Sequence, residues 1–222
     1  MNNIVNDYDL FIFDLDDTLV KTEKYHYEAW LKTLRNNVDP NFYFDYNTFC
    51  SIFHSNKEDN IKNYLKNVLI VENVENVIKE KVTIYLNLIH KNKDKIKLID
   101  GVLELLINII NVNKKFVIVS NSTKSNVDFF CDLFPILNKC SKKYYSEILH
   151  YKKPSPKCYI NVIDDFPSNK IIGFEDSITG IHSMSNVQEI DTVFINNKDY
   201  FHYHYITQNY NIKLIIENYN IL

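Results

Sequence analysis

The chain has 222 residues, 45% of them hydrophobic and 24% charged, with a formal net charge of −3. That composition is globular rather than disordered, and the length allows one sizeable core or a core with a small inserted domain. There is no basic footprint for a nucleic-acid partner and no apolar stretch long enough to span a membrane. Residues 1–7 contain no signal-type apolar segment, and the C-terminus carries no lipidation motif. The cysteines Cys50, Cys131, Cys140 and Cys158 are widely spaced and form no CxxC pair. They read as reduced thiols of a cytoplasmic protein.

The first element in chain order is Leu10-Phe11-Ile12-Phe13, a continuous apolar run that predicts a strand buried on both faces of a parallel sheet. Asp14-Leu15-Asp16-Asp17-Thr18 follows at its carboxyl end, where open α/β sheets bind ligands. Asp14 and Asp16 would repel each other unless a cation or a proton sits between them. A chain that puts them there holds Mg²⁺, uses one as a nucleophile, or does both. The bland alternative for this pentapeptide alone is a solvated acidic turn.

From Thr18 to about residue 95 the pattern is helical, with segments near 22–37, 45–54, 57–66 and 73–93. A sharply amphipathic helix is predicted over 102–110, where Val102, Leu105, Leu106, Ile109 and Ile110 share a face. Strands and helices then alternate. Strands are predicted at 116–119, 144–148, 170–174, 192–195 and 213–216. Helices are predicted from 124 to 133, after Lys153-Pro154-Ser155-Pro156 and from Ile178. Ser155 suits an N-cap and Pro156 the first helical position. Alternation of this kind implies a parallel sheet with right-handed crossovers, and makes the helical block an insertion after the first strand.

Polar residues recur where successive strands end: Asp14 and Asp16, then Ser120 with Asn121, then Lys153 in a loop, then Glu175 and Asp176. In a parallel sheet these ends share one edge, so distant residues can converge there. The inventory suits phosphoryl chemistry. A carboxylate can form an aspartyl-phosphate, Mg²⁺ can neutralise phosphate charge, and a hydroxyl and an ammonium can hold the remaining oxygens.

The order DLDDT (14–18), VSNS (119–122), KPSP (153–156) and FEDS (174–177) resembles the haloacid dehalogenase-like phosphotransferases over nearly the whole chain. The resemblance implies an α/β Rossmann-like core, residues 1–21 and 96–222, with a small helical cap inserted at 22–95. It implies Asp14 as nucleophile and Asp16 as general acid/base, with its backbone carbonyl on Mg²⁺. Ser120, Asn121 and Lys153 would bind the phosphoryl group. Asp176 would complete the metal site, with Glu175 a further ligand, directly or through water. The match is closer to the branch that includes beta-phosphoglucomutase and phosphoglycolate phosphatases. There Thr22 to Trp30 looks like the hinge and first cap helix, with Thr22 and His26 steering Asp16. Asn56-Lys57-Glu58-Asp59 resembles the cap substrate loop, although Lys57 stands where the mutases place Arg, and Lys81 corresponds to a second cap cation. Asp17 stands where Gly is commoner. The implied function is Mg²⁺-dependent hydrolysis of a small phosphomonoester (a sugar phosphate, a phosphoglycolate-like compound or a nucleotide) by a monomer. The alternative is a sugar phosphomutase.

Blander readings compete at several positions. Ser120 could cap a helix, His26 could pack near Trp30, and Lys57 and Lys81 could be solvated helix lysines. His202 and His204 invite a metal reading, but without a third ligand they read as a surface loop or strand. Two further function classes are weaker. A receiver-type signalling module would leave the helical insertion without a place. A binding protein on a dead enzyme fold would not need every motif residue present.

Overall fold

β1 (Leu10–Phe13) is buried at all four positions and pairs in parallel with a strand on each side. The structure is a computed structural model, and it describes residues 4–54, 58–196 and 203–222. The other strands are β2 (Lys115–Val119), β3 (Lys142–Tyr144), β4 (Ile171–Glu175), β5 (Ile190–Ile195) and β6 (Leu214–Ile216). They form one six-stranded parallel sheet in the order β3-β2-β1-β4-β5-β6. This is an α/β Rossmann-like fold. The chain builds outward from β1 to β3, then crosses to β4 on the other side of β1. That reversal opens a crevice at the carboxyl ends of β1 and β4.

The helices are α1 (Ile4–Asp7), α2 (Glu23–Asn37), α3 (Tyr46–Ile52), α4 (Glu58–Asn67), α5 (Val74–Lys91), α6 (Val102–Asn111), α7 (Lys124–Leu133), α8 (Lys157–Asp165), α9 (Ile178–Ser185) and α10 (Tyr203–Asn209). Two compact units result: residues 1–21 with 97–222, and residues 22–96. The first contains the sheet. One of its cores joins Leu10, Ile12, Val117, Val119 and Ile171 to Tyr159 and Val162 of α8 and Met184 of α9. The helical unit holds α2 to α5 around its own core of Trp30, Leu34, Phe44, Phe49, Phe53, Leu65 and Val77.

Three local expectations are corrected. β3 ends at Tyr144 instead of continuing to 148. As an edge strand it pairs only with β2, and Ile148 and Leu149 then turn back to donate to the Tyr145 carbonyl. Ser155 does not cap α8. Pro156 holds that position, while the Ser155 carbonyl accepts from Ser183 Oγ at 2.6 Å and from Cys158 Sγ at 3.1 Å. Residues 203–209 are a helix rather than a loop or strand, since Ile206 buries against Ile181 and Phe194. His204 is exposed on that helix, and His202 lies outside the described residues.

Candidate active site

The turn after β1 is set by Asp17, whose φ of 55° lies in the left-handed region and whose N–H donates to the Val20 carbonyl at 2.8 Å. Glycine is favoured at such a position, and Asp is among the few residues that tolerate it. Asp17 thus holds a turn whose backbone conformation glycine would also adopt. On one side of the turn the Asp14 N–H donates to the Phe174 carbonyl at 3.1 Å, which ties the end of β1 to β4.

Lys153 reaches this edge from the loop before α8. Its Nζ lies 2.5 Å from Asp14 Oδ1 and 2.5 Å from Glu175 Oε1. The lysine is buried, as are both carboxylates. Asn121 fixes the loop by a reciprocal pair, its Oδ1 accepting from the Lys153 N–H and its Nδ2 donating to the Lys153 carbonyl, both at 3.0 Å. The Asn121 carboxamide, expected at the phosphoryl group, is therefore spent on the Lys153 backbone. Ser120 is buried and its Oγ accepts from the Ser122 N–H at 3.0 Å, which tightens the loop after β2. Thr123, not Ser120, stands at the N-cap of α7.

Asp16 is held from the same loop: Ser122 Oγ donates to Asp16 Oδ2 at 2.7 Å and accepts from Asn126 Nδ2 at 3.1 Å. On the β4 side, Thr18 Oγ1 donates to Asp176 Oδ1 at 3.1 Å, and the Tyr219 hydroxyl donates to the Thr18 carbonyl at 3.1 Å. Glu175 is fully buried and accepts four bonds. Lys153 and the Tyr159 hydroxyl (2.9 Å) reach Oε1, and the Ser177 N–H (3.2 Å) and Oγ (3.1 Å) reach Oε2. Ser177 Oγ in turn accepts from the Gly180 N–H and caps α9.

Asp14, Glu175 and Asp176 each offer an oxygen, and these oxygens lie within 4.8 Å of one another. Hard carboxylate oxygens, buried together, fit a divalent cation such as Mg²⁺. Burial pushes the Asp14 carboxyl up to about 8. The Lys153 ammonium opposes that shift, and the charges of Glu175 and Asp16 add to it. Burial would by itself strip the Lys153 proton, but Asp14 and Glu175 outweigh it and the proton is held above the ordinary lysine value. A cation among the carboxylates would bring Asp14 back down.

The structure thus brings Asp14, Asp16, Ser120, Asn121, Lys153, Glu175 and Asp176 into the sheet unit at one edge. Ser122, Thr18, Tyr159, Ser177 and Gly180 join them, although the sequence pattern gave none of these a role. Ser122, Thr18 and Ser177 belong to the four motifs, so their neighbours were signals for them. Tyr159 had no such signal, since a tyrosine on an amphipathic helix reads as core. The remaining candidates are in the helical unit. His26 Nδ1 lies 2.8 Å from Lys81 Nζ, and the His26 ring stacks on Tyr85 with centroids 4.0 Å apart. An ammonium can only donate, so Nδ1 is the acceptor and the imidazole proton belongs on Nε2. Thr22 is buried at the start of α2. Lys57 lies outside the described residues.

The profile of one family, described as haloacid dehalogenase-like hydrolase, matches residues 11–195. The chain belongs to that family. Solved haloacid dehalogenase-like structures share its fold over nearly its whole length. The HAD hydrolase, family IA, variant 3, from Entamoeba histolytica is 20% identical with a TM-score of 0.78, over 96% of this chain and 95% of that one. A beta-phosphoglucomutase from Clostridium difficile is 23% identical with a TM-score of 0.72, over 97% and 93%. A predicted phosphoglycolate phosphatase from Haemophilus somnus is 16% identical with a TM-score of 0.76, over 96% and 95%. No curated protein sequence matches the chain. Among the described residues, no helix is long and apolar enough to cross a membrane.

Proposed function

We propose that this haloacid dehalogenase-like hydrolase is a Mg²⁺-dependent phosphatase that cleaves a small phosphomonoester through an aspartyl-phosphate on Asp14. The observation that carries the reading is Lys153 Nζ, 2.5 Å from Asp14 in a buried cluster with Glu175 and Asp176. A nucleophilic carboxylate beside a fixed ammonium is what phosphoryl transfer to an aspartate requires.

In this reading Asp14 attacks phosphorus while the bond to the ester oxygen breaks, and Asp16 gives that oxygen its proton. Asp16, now a carboxylate, takes a proton from water as the water attacks the phosphorus of the aspartyl-phosphate. Phosphate leaves and Asp14 is restored. Ser122 keeps the Asp16 carboxylate on the sheet edge through both steps. Lys153 and Ser120 hold the phosphoryl oxygens as charge shifts among them. Mg²⁺, held by Asp14, Asp176 and the Asp16 backbone carbonyl, would offset the repulsion between the nucleophile and an anionic phosphate. With four donors on its carboxylate, Glu175 adds charge near that ion rather than a ligand oxygen.

Substrate choice is assigned to the helical unit, read as a cap, with His26, Lys81 and Lys57 as its candidate contributors. The substrate classes that fit are sugar phosphates, phosphoglycolate-like compounds and nucleotides. The reading includes a monomer working in the cytoplasm, a compartment that suits four widely spaced free cysteines.

The test is phosphate release from a panel of these esters with and without Mg²⁺. The panel includes beta-glucose 1-phosphate with a trace of glucose 1,6-bisphosphate, following phosphate and glucose 6-phosphate together. Lysine is a point charge and cannot reproduce the bidentate guanidinium of the related mutases, so net phosphate release is expected. Glucose 6-phosphate formed much faster than phosphate would establish a mutase instead. Full activity in excess chelator would remove the metal from the mechanism.

A further inference from the structure

Glu175 is fully buried in the site and has every acceptor position occupied. Its relative exposure is 0%, and four donors converge on its two oxygens. A carboxylate offers about four lone-pair positions, so such an anion is fixed in place and has none left to spend. Two of the donors come from Ser177 on the α9 side and one is Lys153. The fourth, the Tyr159 hydroxyl, comes from α8, the helix that Lys153 itself precedes. Tyr159 is fully buried, and the Lys153 ammonium also lies 5.5 Å from its ring centroid. The phenol therefore meets the lysine twice, through its ring and through the carboxylate they share.

We propose that Tyr159 is a positioning residue of the phosphoryl site: its hydroxyl orients Glu175 Oε1, and Glu175 so oriented sets Lys153 Nζ against Asp14. The geometry leaves little slack. Lys153 carries four rotatable side-chain bonds, and its amine has to stay within reach of the nucleophile and of a phosphoryl oxygen. Glu175 Oε1 is the shared acceptor that pins it. Without the phenol, that oxygen keeps only Lys153, and the carboxylate loses the one donor that fixes it from the α8 side. Burial and the neighbouring Glu175 charge push the phenol well above its ordinary pKa, so Tyr159 stays a donor over the working pH range. The inference rests on the phosphatase reading for the meaning of Lys153, but it concerns a residue outside the four motifs.

The experiment is a double-mutant cycle with Tyr159→Phe, Glu175→Gln and the pair, read on binding of tungstate, a tetrahedral oxyanion that needs no turnover. Mg²⁺ binding is measured alongside by calorimetry, and kcat and KM are measured on the best ester. Tyr159→Phe removes one oxygen and keeps the ring. Losing one bond to a charged acceptor is expected to weaken tungstate binding roughly tenfold and to lower kcat by a similar factor. Mg²⁺ affinity should stay within about threefold. In the Glu175→Gln background the effect of Tyr159→Phe should largely disappear, because coupled residues are non-additive. Unchanged tungstate binding in Tyr159→Phe overturns the proposal. So does a loss of the same size whether residue 175 is Glu or Gln. If the Phe variant does not fold, the same cycle built on Tyr159→Met, which also carries no donor, supports or overturns the proposal by the same two results. A wild-type protein that neither binds tungstate nor cleaves any ester defeats the phosphatase reading and this inference with it. A functional wild type indifferent to Tyr159→Phe defeats the inference alone.

Discussion

Gly180 lies against the Glu175 carboxylate so closely that a Cβ at 180 would overlap both Oε1 and Oε2. Both overlaps are far inside contact distance, and the carboxylate cannot swing away without leaving Tyr159, Ser177 or Lys153. The absence of a side chain in the first turn of α9 is therefore part of the site. Its helical conformation would suit alanine, and the space does not.

Gly180→Ala is accordingly expected to damage activity more than a helical Gly-to-Ala change would suggest. On propensity alone the substitution stabilises by about 1 kcal/mol. Here the displaced carboxylate should cost more than that, with a lower melting temperature and at least a tenfold fall in kcat/KM. A variant that is stabilised and fully active would show that Glu175 has room the structure does not give it.

Asp14→Asn is expected to abolish turnover and leave the chain folded. It also tests the electrostatics of the metal-free site. Burial raises the folded Asp14 pKa to about 8 from an ordinary 3.8. Between those values the folded state keeps a proton that the unfolded state has released, so stability falls as pH rises through the window. Asparagine copies the neutral form. In excess chelator the variant should therefore melt above wild type by a margin that grows from pH 4 to pH 8 and then levels. A margin independent of pH would sink this account, and near-wild-type turnover would remove Asp14 as nucleophile.

Asp176→Ala removes a carboxylate that offers an oxygen to the acidic cluster and accepts from Thr18. The Mg²⁺ concentration for half activity should rise by at least tenfold, with kcat partly recovered at high Mg²⁺. Ca²⁺ should inhibit wild type, because its looser coordination would misplace the nucleophile for attack. Unchanged Mg²⁺ dependence in Asp176→Ala would assign the metal to other ligands.

Ile70 is the one purely structural target. It follows α4 at φ 54°, in the left-handed region, where a β-branched residue is a real outlier, and it is 73% exposed. The Val71 N–H bond to the Leu65 carbonyl and two bonds onto the Tyr64 carbonyl close the helix end around it. Relief of the strain, less the unfolded-state entropy of glycine, should make Ile70→Gly more stable by about 1 kcal/mol, or roughly 2–4 °C. A fall in melting temperature would mean that the side chain has a partner its exposure does not reveal.

The sequence by itself determined the parallel sheet and its helical insertion. Buried strands such as Leu10–Phe13 read as unbroken apolar runs, and the polar residues at their ends stand out against them. Asp14, Asp16, Lys153 and Asp176 were legible for that reason. Each interrupts an apolar or helical pattern at a strand end or in a loop. The edge strand β3 was less legible, because one-sided pairing leaves a mixed pattern and its end is fixed by contacts with β2. Tyr159, Ser122 and Gly180 could not be assigned their tasks from the chain. A tyrosine that fills a core and a tyrosine that fills a core while holding Glu175 have the same local sequence. The difference is a hydroxyl meeting a carboxylate 16 residues away. Only the tertiary structure decides that, because strand β4 and helix α8 must be packed before the two groups share one buried place.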